Sequence, residues 1–422
     1  MASIDVGTCP VRHDFDPLAA DYLADPYAVA SKVRSDSPVF YAEGLDMWVV
    51  TRMADVEAVF MDHDTFSGRL VQDPVFPLCD AARKMLREGG FNPLPTMSNN
   101  EPPDHGRIRV FTAKGFSVRR MGILEPSVRR RANDYADALL AKGPARFEFV
   151  EHLAFPLPAY TVFELIGFPD ADAERLKTWC GRRKLFSWGR PSEEEQLSIA
   201  ADMLAYWDYC QAFVDTKRSE RARGIVTDDF VSELLDAHEH DNEQLTLDEL
   251  KSVVYGLSFA GHEAVTNLLC NSFHTLLDHP AQWAEMCADR ALVGPAVEEV
   301  LRYNSSQISW RRIANREAVV GGVTIPAGAK LMLLFSAANH DPDRFAEPDR
   351  FDIHRANSRH HISFGKGVHF CLGAAMARME AKVVVDVLAD RIPSLRLVPD
   401  QELRVHPNVQ FRGPEELWLE WG

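Results

Sequence analysis

Apolar residues recur at three- and four-residue steps along most of the chain, the spacing that gives a helix one water-averse face. The pattern predicts helices over 25–36, 54–63, 105–141, 159–166, 172–186, 193–218, 247–277, 291–303 and 372–391. The 247–277 stretch is long and apolar on several faces, so it is expected to cross the core. Pro393 stops the last helix, because proline lacks an amide hydrogen and clashes with the preceding turn. Strand-like runs are few. One lies at 46–52, and others fall within 319–335, where Gly321-Gly322 supplies a turn. The expected class is mainly α with a minor β component, without repeats or low-complexity linkers.

Residues 66–103 break the helical rhythm. They hold Pro74, Pro77, Pro93, Pro95, Pro102 and Pro103 with Gly89 and Gly90, and read as a lid or substrate loop. The 422-residue chain carries 46 Lys and Arg against 62 Asp and Glu, a net charge of −16. That balance argues against nucleic acid as the main partner, since backbone binding needs clustered cations. The seven cysteines (9, 79, 180, 210, 270, 287 and 371) are scattered and form no CxxC pair, which excludes a disulfide framework and a structural zinc site. Without an apolar leader or a long apolar run, the chain is expected to be cytoplasmic, with no membrane anchor.

Phe364-Gly365-Lys366-Gly367-Val368-His369-Phe370-Cys371-Leu372-Gly373 is the most informative segment. Its glycines permit tight turns, and Cys371 precedes an apolar helix whose N-terminus favours a thiolate. Such a thiolate is a ligand for haem iron. The loop is no phosphate cradle, because the third glycine of GxGxxG falls on Phe370. FGxGxHxCxG matches at all six fixed positions, and with it the chain resembles a soluble bacterial cytochrome P450 over essentially its whole length. Scattered likeness in NVQFRGPEELWLEW is to the haem domains of bacterial self-sufficient reductase fusions.

The resemblance implies one domain over residues 1–422, a helix-rich lobe and a small β-rich lobe enclosing haem b. Cys371 is then the axial ligand, and His105, Arg109, Arg312 and His369 hold the propionates, with Phe364, Gly373 and Ala260 also against the cofactor. Glu299 and Arg302 match the family's ExxR pair, a structural element completed by a third residue, Arg350 or His354. Arg107 and Arg311 are read as solvated surface charges.

Ala260-Gly261-His262-Glu263-Ala264 corresponds to the segment whose acid and threonine organise water and deliver protons for oxygen activation. Glu263 supplies the acid, but Ala264 stands in place of the threonine. Thr266 lies about 200° further round the helix and cannot replace it. A substrate hydroxyl or ordered water, a peroxide route, or an oxidation tolerant of uncoupling are the three accounts of this departure.

By family analogy the substrate pocket includes Val71, Phe186, Tyr255, Phe259, Ile308, Val409 and Gln410, an apolar and aromatic set suited to a small or medium hydrophobic substrate. The expected activity is insertion of one oxygen atom from O2, as hydroxylation or O-dealkylation. Electrons are expected from a separate ferredoxin- or flavodoxin-type donor and its reductase, serving a monomer. Arg119, Arg120, Arg129, Arg130, Arg131, Lys366 and Arg378 are candidates for a basic docking face. A peroxide-using oxidase is the alternative motivated by Ala264, and a non-catalytic haem sensor ranks last.

Overall fold

The computed structural model describes residues 10–422. Helices dominate, and the longest, Leu247–Asp278, is the expected core-crossing element. A capping box starts this central helix: the Thr246 side chain accepts from the Glu249 amide, and Glu249 reaches back to the Thr246 amide. Its 32 residues span roughly 48 Å, enough to pass through the whole molecule.

Around it pack Pro156–Ile166, Glu193–Ala222, Val293–Tyr303 and Ala374–Arg391, and Val118–Ala141 packs in turn on Pro156–Ile166 and Ala374–Arg391. Gly261 lets the Pro156–Ile166 helix come close, since a Cβ there would sit 2.6 Å from Val162 Cγ2. The same position would lie 3.4 Å from Met376 Cε, so the helix that follows Cys371 meets the central helix at its Ala260-Gly261 pair.

The largest of the three sheets among the described residues has six strands in the order Val11–Arg12, Val39–Ala42, Met47–Val50, Lys330–Leu334, Ser309–Ala314, Phe66–Ser67; Arg396–Leu397, Trp418–Glu420 and Arg146–Glu148 form a second, and Ala318–Val320 pairs with Val323–Ile325. Met47–Val50 pairs in parallel with Lys330–Leu334, and Ser309–Ala314 runs antiparallel to the latter, with Arg312 opposite Leu331. The sheet has its own apolar cluster, including Trp48, Phe60, Leu333 and Phe335. Two larger clusters fill the helical part, one around the first half of the central helix (Leu250 to Phe259) and one around its second half (Val265 to Leu277). No described helix is long and apolar enough to cross a membrane.

Several expected elements change. The 105–141 helix is two, Asp104–Thr112 and Val118–Ala141, because Ser117 accepts from the Arg120 amide and starts a new N-terminus. The helices Phe230–His240 and Pro280–Ala288 escaped the periodicity. The Pro-rich stretch is not loop throughout: Asp80–Glu88 is helical and packs on Glu193–Ala222 through Ala82, Ile199, Ala200 and Met203. The final helix begins at Ala374, three residues beyond Cys371, instead of at Leu372.

Candidate active site

The cysteine loop is built by its glycines. Gly365 and Gly367 have φ of 68° and 71°, where a side chain is strained, and a Cβ on Gly367 would lie 2.8 Å from the Phe60 carbonyl. The turn closes when the Cys371 amide donates to Phe364 O at 2.9 Å. Arg109 Nη2 donates to Phe370 O at 2.6 Å, tying the loop to the Asp104–Thr112 helix. Arg378 lies 4.4 Å over the Phe364 ring and pairs with Glu298 at 2.7 Å.

Cys371 is open to solvent-sized space yet sits deep among protein atoms. That depth pushes its thiol pKa up, while the Gly373 amide and the charges of Arg109 and Arg378 pull the other way. Ala260 is likewise exposed although Phe259 beside it and His262 and Glu263 just beyond are buried. Gly261 and Ala264 are half-buried. This face of the central helix and the cysteine loop therefore both open inward.

Four basic groups line the same region. The His105 and His369 rings lie 4.2 Å apart, centre to centre, tilted 53° to one another, and His369 Nδ1 lies 3.0 Å from Met97 O. His105 Nε2 is buried without a hydrogen-bond partner among the described residues. Arg312 is almost wholly buried and makes one hydrogen bond, to Arg311 O. Burial lowers its pKa to about 9. His369 is held at about 3, by burial first and then by the charges of Arg312 and His105. Burial also lowers the pKa of Arg109. Among the described residues none of the four has a carboxylate partner. Arg109 and Arg312 are cations without a counter-charge, and with the two imidazoles beside them they fit a ligand that brings carboxylates.

The acid expected at Glu263 is buried, with Lys184 Nζ 2.7 Å from its Oε2. Its Oε1 has no hydrogen-bond partner among the described residues, and His262 Nδ1 lies 3.9 Å away. Thr266 is occupied with the His262 carbonyl at 3.2 Å, as a residue on the wrong side of the helix should be. Sequence reasoning missed Lys184, which is 79 positions from Glu263 and carries no local signal of that pairing.

The ExxR pair is completely buried, with Arg302 donating twice to Glu299 at 2.8 Å. The third partner is neither Arg350 nor His354 but Arg355, whose Nε donates to Glu299 Oε1 at 2.9 Å. The turn after Phe351 puts the Arg350 side chain outward beside Glu347 and sends His354 to Glu285, while the Arg350 carbonyl accepts from both Arg302 and Arg355.

Other expectations are corrected. Arg311 is no surface charge: it is buried and donates to Val71 O and Asp73 O, pinning the Pro-rich segment to the sheet. Arg107 bridges Glu249 and Asp104. Six of the seven docking cations have carboxylate partners, so the face is largely self-neutralised; Arg130 instead donates to Ser127 Oγ.

Of the pocket residues, Tyr255 and Phe259 sit one turn apart on the central helix. The Val71 carbonyl accepts from Trp188 Nε1, and the Ile308 amide donates to Gln410 O beside Val409. Phe186 instead packs in the small cluster with Ala82 and Ile199.

A protein-family model described as Cytochrome P450 matches residues 40–389. The cytochrome P450 monooxygenase PikC of Streptomyces venezuelae is 33% identical over 97% of this chain and 94% of its own. The solved structure of cytochrome P450 CREJ in complex with (4-ethylphenyl) dihydrogen phosphate is 36% identical, with a TM-score of 0.92, covering 97% of this chain and 100% of that one. The CYP116B5 heme domain of Acinetobacter radioresistens is 30% identical, also at a TM-score of 0.92, over 97% of this chain and 98% of that one.

Proposed function

The chain belongs to the cytochrome P450 family, oxidoreductases that carry haem b and take O2 as co-substrate, and we propose that Cys371 is its iron ligand in a monooxygenase acting on small or medium aromatic or hydrophobic molecules. The observation that carries the reading is the unneutralised cluster His105, Arg109, Arg312 and His369 beside the cysteine loop. Haem propionates are the carboxylates such a cluster lacks. When bound, the haem supplies activation of O2 and insertion of one oxygen atom into the substrate.

The protein's own residues do the rest. Gly365 and Gly367 shape the loop that presents the Cys371 sulfur, and Phe364 and Gly373 flank it. Ala260 and Ala264 keep the central helix slim where it borders the cofactor. Glu263, held by Lys184, keeps one oxygen free to take and release a proton at the edge of that space. Tyr255, Phe259, Ile308 and Val409 supply the apolar walls. CREJ, with (4-ethylphenyl) dihydrogen phosphate bound, makes a para-alkylated aromatic a natural first probe. All 422 residues act as one unit, and electrons come from a separate ferredoxin- or flavodoxin-type donor and its reductase.

The test is turnover of a para-alkyl aromatic panel with a surrogate ferredoxin and reductase under heavy-isotope O2. Incorporation of one labelled atom per product is expected. Product whose oxygen comes only from added peroxide overturns the O2-dependent reading.

A further inference from the structure

Three consecutive cations, Arg182, Arg183 and Lys184, meet three different environments. Arg182 has Asp202 at 3.9 Å and Ser198 at 2.8 Å, and Lys184 has Glu263. Arg183, between them, is 8% exposed and has no carboxylate partner among the described residues. Its guanidinium carbon lies 4.8 Å from the Tyr255 ring centre and 4.7 Å from that of Phe259. Gln72 Oε1 accepts from its Nη2 at 3.2 Å, and Gln72 is in turn held by Ser98. Arg183 Nε and Nη1 are buried with no hydrogen-bond partner among the described residues.

Aromatic rings stabilise a guanidinium through their faces, whereas its N–H groups point outward in its own plane. Tyr255 and Phe259 therefore do not satisfy the free edge. A buried cation with idle donors is costly unless an anion completes it, and guanidinium matches carboxylate and phosphate best. The buried hydroxyl of Tyr255, whose ring the guanidinium overlies, is a second donor without a partner among the described residues. Phe259 directly precedes Ala260, ~1.5 Å along the axis and about 100° round it, so a cation over Tyr255 and Phe259 stands within about two turns of the Ala260–Ala264 face.

We propose that Arg183 anchors the acidic end of an anionic substrate, a compact aromatic or alkyl molecule ending in a carboxylate or phosphate, whose hydrocarbon end points along the central helix toward Ala260. The proposal rests on the monooxygenase reading for the identity of the site, but makes its own claim about which substrates enter. Phe259 and Tyr255 then serve both the cation and the substrate ring. The short separation along the helix favours a single ring over a long chain.

The experiment titrates holoenzyme with para-ethylbenzoate and para-ethylphenyl phosphate against the neutral para-ethyltoluene, following the haem spin-state shift and calorimetric heat. At least one acid is expected to bind roughly tenfold or more tighter than the neutral probe, and Arg183→Gln to abolish that preference while changing neutral binding by less than about twofold. Arg183→Lys keeps the charge and is expected to retain part of the preference. An unchanged carbon monoxide spectrum in each variant shows that the haem site is intact, so failure here is distinguishable from failure of the enzyme assignment. Equal binding of acids and the neutral probe by the unmodified enzyme overturns the proposal. So does a preference that survives in Arg183→Gln, or an absence of binding by both acids.

Discussion

Lys184 Nζ stands 2.7 Å from Glu263 Oε2, and both side chains are buried. Removing one partner leaves the other as an uncompensated charge in the interior. Lys184→Met is expected to lower stability by about 3–5 kcal/mol, read as a drop in the thermal midpoint of the holoprotein. Adding Glu263→Gln to it should recover much of the loss, because the stranded carboxylate is then gone. If the single and double variants unfold together, the pair is not energetically coupled.

The basic cluster gives a prediction with opposite signs in two states. Arg312 is buried without a carboxylate, and burial holds its pKa down at about 9. Arg312→Gln should raise the unfolding midpoint of haem-free protein and weaken haem retention about tenfold or more against an acceptor globin. Unchanged retention would remove Arg312 from the propionate set.

Ala264 lies one turn beyond Ala260 on the central helix, where it is half-buried. Ala264→Thr is expected to increase the fraction of donor electrons that end in product, by adding a proton-conducting hydroxyl next to Glu263. Donor consumption and product measured together report this. A constant ratio means that position 264 does not limit proton delivery.

Glu298 supplies a pH dependence. Burial pushes its carboxyl up, but His361 at 3.5 Å and Arg378 at 2.7 Å outweigh that and hold it at about 2. A carboxyl below its unfolded value of 4.5 stabilises the fold above that pH, and the benefit is lost as pH falls from about 4.5 to about 2. The span is worth about 3 kcal/mol. His361, lowered mainly by burial, adds loss of the same sign below its unfolded value of 6.5. Glu298→Gln should flatten the denaturant midpoint between pH 5 and pH 3, roughly the window of the Glu298 titration; an identical slope in both proteins contradicts the assignment.

How much of this was legible in the residues follows from how local each interaction is. The Phe364–Gly373 loop carries its own geometry in ten consecutive residues, so it could be read directly. The central helix announced itself through length and uninterrupted periodicity. Arg355, Lys184 and Arg183 were not legible, because each finds its partner across the fold, 56, 79 and 111 positions away. Arg311 was misread for a related reason: periodicity marks a charged residue as exposed, whereas its guanidinium is consumed by the backbone of Val71 and Asp73. The Asp80–Glu88 helix was hidden by flanking prolines and glycines, although its own nine residues are good helix formers.

Thiolate ligation by Cys371 is the claim on which the rest depends, and the carbon monoxide difference spectrum of the reduced holoprotein tests it most directly. The unmodified protein is predicted to show the large red shift of the Soret band that a thiolate ligand produces, and Cys371→His to bind haem without it. A Soret band lacking that shift in the unmodified protein, or one that keeps it in Cys371→His, would contradict the account.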